Sequence, residues 1–228
     1  MGLLVLLPVA CLAFPASIYG QSNDVSSHAN LPAPAQDKPD YSGESYVIEK
    51  YSTEITFAAD GTGERLITVA VKVQSHAAVR QFGVLEFPYE SRNDRVEFVY
   101  VRVKKVDGSV VATSDADAQD QPAEVTRPAP FYSDIRSKQL PVKGLSAGDE
   151  LEYQVRDVRT VSQVPGEFWY TQDFLKNVVV LDEAIVLNVP RGKYVHVESG
   201  AAKPEVSESG DRKIYRWKNS QLEKTKNC

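Results

Sequence analysis

Residues 46–73 read YVIEKYSTEITFAADGTGERLITVAVKV, and this stretch decides the fold class. Val47, Tyr51, Ile55 and Phe57 share one strand phase. The other phase holds Lys50, Ser52, Glu54 and Thr56, with Ile48 as its apolar exception. Beyond Asp60-Gly61-Thr62-Gly63, residues Ile67, Val69, Val71 and Val73 alternate with Thr68, Ala70, Lys72 and Gln74. A period of two marks a half-buried strand, and a glycine-containing turn between two such runs predicts a β-hairpin.

The pattern continues toward the C-terminus. Phe82–Pro88 predicts a short strand ended by proline, after a connection over His76–Gln81. Asp94–Val106 is apolar on both faces in its middle and reads as a central strand. Asp107-Gly108 predicts a type I′ hairpin turn with a return over Ser109–Ala112. Ala116–Pro130 lacks periodicity and reads as a loop; Ser133–Val142 resumes extended structure. Leu151, Tyr153 and Val155 alternate with charged and amide residues, as an antiparallel strand requires. Residues 165–197, PGEFWYTQDFLKNVVVLDEAIVLNVPRGKYVHV, join an aromatic cluster to β-branched runs and then to a further strand-like run. Lys213–Lys218 is the last strand. No ten-residue stretch carries a helical apolar stripe with caps. The fold class expected is all-β, an antiparallel β-sandwich-like domain over residues 44–222.

Toward the N-terminus the character changes. Residues 1–22 contain an uncharged apolar run that is interrupted by Pro8 and is shorter than the roughly 20 residues of a membrane span. It reads as a secretory signal peptide, although no Lys or Arg precedes Lys38. A buried N-terminal strand is the other reading. A lipid-attachment site at Cys11 is disfavoured by Pro8, which stands where a Leu-like residue belongs. Residues 23–43, rich in Ser, Asn, Asp and Pro, read as a disordered linker. The expected location is exported, periplasmic or extracellular, with membrane contact only through the signal segment. A net charge of −5 and the lack of any Lys/Arg run argue against nucleic acid as a partner.

No catalytic or metal-binding constellation emerges. A thiol hydrolase or transferase needs a cysteine, a histidine base and an orienting carboxylate or amide. The cysteines are Cys11 and Cys228, and the histidines are His28, His76 and His196. Where the cysteine has to precede its histidine, Cys228 cannot fill that role. His196 shares a strand phase with Tyr194 and Glu198, which predicts solvent exposure. No HExxH or CxxC spacing supports zinc. Asp115, Asp117 and Asp120 lack the DxDxDG spacing and terminal Glu of a calcium loop. Asp149, Glu150, Glu167 and Asp173 are the carboxylates that folding would have to pair in an enzyme, and no spacing pairs them. The expectation is a chain that is not an enzyme and needs no cofactor.

Phe168, Trp169, Tyr170 and Phe174 are the candidate interaction surface. Neighbours on a strand face opposite ways, so Trp169 and both flanking aromatics cannot all enter one core. Either the cluster packs where a strand crosses between sheets, or it presents a surface to sugar rings or a partner domain.

The order GLSAGDELEYQV, EFWYTQDF, VVLDEAIVLNVPRGKYVHV and IYRWKN, with VKKVDGSVV upstream, resembles a bacterial family. That family is the domain of unknown function found N-terminal to transglutaminase-like domains in exported proteins. The likeness spans about Ser45 to Trp217. It implies a β-sandwich-like accessory domain that interacts with or positions a transglutaminase-like domain, with residues 223–228 beginning a linker to that absent domain. The alternative left open by the aromatic cluster is a carbohydrate- or cell-wall-binding module.

Overall fold

The hairpin at residues 46–73 forms the middle of the main sheet. In the computed structural model, which describes residues 39–123, 134–200 and 202–223, strand β1 (Tyr46–Phe57) pairs antiparallel with β2 (Gly63–Val73). Gly61 holds the turn with φ +87°, a left-handed conformation that favours glycine. The register slips between Ile48 and Lys50, so Glu49 is a bulged residue. That bulge explains the apolar exception. Ile48 and Tyr51 both reach one core cluster because the extra residue reverses the strand's phase. Val47, buried at 4% exposure, therefore points away from Ile48 rather than sharing a face with Tyr51.

The main sheet has eight strands. From one edge they run β10 (Glu205–Ser209), β11 (Arg212–Gln221), β9 (Val180–Pro190), β1, β2, β8 (Glu150–Arg159), β4 (Asp94–Lys104) and β5 (Val110–Thr113). A three-stranded sheet, β3 (Val84–Glu90), β7 (Ile135–Pro141) and β6 (Gln119–Pro122), packs over one half of it. The all-β, sandwich-like class is as expected. One pairing departs from the antiparallel scheme: β9 runs parallel to β1. Nearly the whole domain separates these strands, so no tight hairpin imposes an antiparallel arrangement. The one α-helix among the described residues, α1 (His76–Phe82), is capped by Ser75, whose hydroxyl accepts the Ala78 N–H. No helix among them is long and apolar enough to cross a membrane.

Local details differ from the sequence reading for identifiable reasons. Pro88 sits inside β3, opposite Ser137, rather than ending it. β3 is an edge strand, where a missing N–H costs no ladder bond. The Asp107-Gly108 turn is not type I′, because only Gly108 has positive φ. Asp107 instead accepts hydrogen bonds from the Ser109 N–H and hydroxyl. The loop expected over residues 116–130 contains β6, which pairs with β7. Residues 193–197 form no strand. Near the domain's start, Gln74 donates its amide to the carbonyls of Tyr41 and Glu44 and ties that segment to the end of β2. The expected signal peptide, most of the linker, His28, both cysteines and residues 224–228 lie outside the described residues.

Two apolar clusters lie along the main sheet. The larger joins Val69, Val71, Phe98, Val103, Leu151 and Val155 to Leu85 and Leu140 of the small sheet. The smaller joins Ile55, Phe57, Ile185, Val189 and Tyr215. It is roofed by Phe168, Phe174, Val195 and Val197, on segments with no strand structure.

Candidate functional site

The aromatic cluster lies in this roof. The chain leaves β8 at Arg159 and re-enters the sheet at Val180, and residues 160–179 between them form no strand. The strand-phase argument therefore does not apply. What separates the aromatics is docking onto the smaller cluster. Phe168 stacks on Phe57, with centroids 4.0 Å apart and rings 10° from parallel. Phe174 packs against the same cluster. Trp169 and Tyr170 stay outside, 55% and 37% exposed. Two of the four candidate residues are thus anchors, and two face solvent.

Backbone contacts fix the segment on both sides. The Gly166 N–H donates to Asp60 O at 2.8 Å, and Lys193 Nζ donates to Gly166 O. A Cβ on Gly61 would stand 2.3 Å from Glu167 O and 2.5 Å from Ser162 Oγ, so the bare glycine of the β1–β2 turn admits the segment. At the far end, the Leu175 N–H donates to Glu183 Oε1 at 2.9 Å, and Asn219 Nδ2 donates to Glu183 Oε2 at 3.2 Å. Glu183 is fully buried. Burial holds its carboxyl above the ordinary carboxylate range, and the two donors oppose that only in part.

A cleft of about 450 Å³ opens beside Trp169 and Tyr170, where the ends of the two sheets part. Its inner wall carries charges. Arg65 on β2 pairs with Asp157 on β8 at 2.7 Å. Arg159 on β8 grips Asp94 on β4 through two bonds of 2.9 and 3.1 Å. Burial holds the Asp157 carboxyl above its usual range more than Arg65 draws it down. Arg65 also donates to Tyr170 Oη at 3.2 Å, and Tyr170 donates to Gln172. The ion pair under the sheet end thereby holds the exposed phenol. A second cleft, about 610 Å³, lies on the other side of Tyr170. Ile185, Leu187 and Trp217 line it, with His196 and Glu198 at its rim.

The other candidates are dispersed. Asp115, Asp117 and Asp120 bind Lys138, Lys143 and Arg136 separately. Asp149 is buried, accepts the Ser146 N–H and pairs with Lys105 at 2.6 Å. Glu150 pairs with Lys104, and Asp173 lies 3.8 Å from Lys176. Asp149 and Glu150 stand at the start of β8, whereas Glu167 and Asp173 follow its far end, so the fold keeps the first two apart from the last two. His76 is exposed at the start of α1, and His196 is exposed as expected. No group of three potential metal ligands occurs among the described residues.

Sequence reasoning missed Arg65, Asp94, Asp157 and Arg159. Each is in phase with buried neighbours: Arg65 with Ile67, Asp157 and Arg159 with Val155, Asp94 with Val96. Charges in the inward phase at strand ends were the available signal.

The model of the Domain of Unknown Function family DUF3857 matches residues 59–226. This chain belongs to DUF3857. The match begins after β1, although β1 is a central strand of this DUF3857 domain. In sequence, no curated protein matches. In structure, the domain is similar to a protein from Parabacteroides distasonis described as a "putative protease". The TM-score is 0.68 at 16% identity, over 79% of this chain and 36% of that one. The chain therefore spans about a third of that protein's length. Yeast LTA4 hydrolase and an M1 zinc metallopeptidase from Deinococcus radiodurans align at TM-scores of 0.36 and 0.34, with 10% and 11% identity. They cover 82% and 77% of this chain, and 29% and 39% of their own.

Proposed function

We propose that this DUF3857 domain is a non-catalytic interaction module of an exported protein, periplasmic or extracellular, that positions a transglutaminase-like catalytic domain. The carrying observation is how the charges of the first cleft are used. Asp94 and Asp157 are each held by an arginine, and among the described residues no histidine or cysteine lines that wall. A general acid–base or nucleophilic mechanism needs a base within hydrogen-bond reach of its partner. The preorganised Trp169 and Tyr170, anchored through Phe168 and Phe174, suit contact rather than chemistry. The similar fold within a Parabacteroides protein more than twice as long is in keeping with a module serving a larger chain. The uncharged apolar start of the sequence supports export.

The test supplies a transglutaminase-like domain as a separate polypeptide. The full chain alone should show no transamidation or peptide hydrolysis. Added in trans, it should raise the domain's activity on insoluble cell-wall material while leaving activity on a small soluble substrate unchanged. Activity of the chain alone that Asp157→Asn abolishes would overturn the reading.

A further inference from the structure

The two clefts are not independent. Ile55, Tyr170 and Thr171 line both, so together they form one trough divided by the Tyr170 ring. We infer that this trough binds a glycan strand, with Trp169, Tyr170 and Trp217 as the faces on which sugar rings stack. The inference rests on the domain being an interaction module, and it names what the module holds.

Three observations carry it. The first is size and lining. Clefts of about 450 and 610 Å³ lie within the range of small-ligand sites, and each contains one of the chain's two tryptophans. Flat apolar ring faces complement the C–H faces of pyranose rings. The second is unmet polar chemistry. Trp217 Nε1–H and Arg65 Nε–H are buried without a partner, and each residue lines one cleft. Buried donors are nearly always paired, and a ligand reaches either of these when its side chain turns toward the cleft. Polar side chains line both clefts: Glu90 and Gln163, which bond one another, on one side, and Gln172 and Glu198 on the other. A ligand that donates and accepts at every hydroxyl answers both needs.

The third observation separates a glycan from a peptide. An extended peptide gains affinity by adding to an open strand edge. The floor of the trough is the face of the main sheet, where β9, β1, β2 and β8 are each paired on both sides; the open edges, β11 beyond Arg216 and β4 before Val101, lie toward the sheet's flanks. At the wall the end of β3 is also an edge, and Pro88 there has no N–H to give. A ligand lying on that face meets side chains rather than strand edges. A phosphate-bearing strand is disfavoured, since both arginines of the wall are already neutralised and Glu90, Asp173 and Glu198 remain.

The trough holds both tryptophans, so emission reads binding directly. The full chain is titrated with chitohexaose, with a proline-free hexapeptide as comparison. Saturable quenching or a blue shift with chitohexaose is expected. Trp169→Ala, an exposed position that should leave the fold intact, should weaken binding about tenfold. Trp217→Phe keeps an aromatic face, though a smaller one, and removes the N–H, and should weaken it about fivefold. Absence of a saturable change up to about 10 mM, which is weaker than ordinary millimolar recognition, overturns the glycan assignment. So does a response to the hexapeptide alone, or equal binding by Trp169→Ala. If chitohexaose fails while the separate transglutaminase-like domain shifts the emission, the glycan is wrong and the interaction module stands. Failure of both, together with catalytic activity of the chain alone, removes both.

Discussion

Glu183 is the residue whose environment is least ordinary. It lies on β9 with no cation in contact among the described residues, and its oxygens hold the Leu175 N–H and the Asn219 amide. A carboxyl held above its unfolded value disfavours the folded state once ionised. The stability linked to it is fully present below the unfolded value and is lost as pH rises through the folded one. Glu183→Gln keeps an acceptor for Leu175 without the charge. Urea unfolding at pH 8 should find the variant more stable than wild type by about 1 kcal/mol, with the difference shrinking toward pH 4. A wild type that outlasts the variant at pH 8 would contradict this. Gly61 is the second decisive residue. Any Cβ there meets the Glu167 carbonyl and also requires left-handed backbone. Gly61→Ala should cost about 2–3 kcal/mol in chemical unfolding. It should also expose segment 160–179 to limited proteolysis.

Among the elements, the strands were legible because alternation is local. β1 covers the residues that alternation marks, whereas β2 begins at Gly63, in the expected turn and ahead of the alternating run from Ile67, and β8 continues past Arg156 to Arg159. The aromatic segment was not legible as a roof. A run such as EFWYTQDF has strand-like composition, and only stacking of Phe168 on Phe57, more than a hundred positions away, fixes it outside the sheet. Phe168→Ala removes that stack. It should cost about 2–3 kcal/mol, less than a fully buried phenylalanine, since Phe168 is only half-buried. Trp169 emission should shift to the red as the segment loosens. An unchanged spectrum would mean that the backbone bonds at Gly166 and Leu175 suffice to seat it.

Across the whole molecule, two apolar clusters share continuous strands. β1 contributes Ile48 to the larger and Ile55 to the smaller, and β9 contributes Val180 and Ile185 in the same way. Strands common to both should make unfolding one cooperative transition. Both tryptophans lie at the smaller cluster or its roof. Their fluorescence and far-UV circular dichroism should therefore give coincident urea curves, and an earlier fluorescence transition would show the roofed half melting alone. Alternation, turn glycines and the scarcity of cysteine and histidine were enough to establish a β-rich domain and to bring forward Phe168–Phe174, because those properties depend on residues two to five positions apart. The placing of β9 beside β1, the meeting of Arg65 with Asp157 and of Arg159 with Asp94, and the trough around Tyr170 belong to the tertiary structure. They join residues separated by roughly 65 to 135 positions, whose approach is set by strand order and burial rather than by any local period.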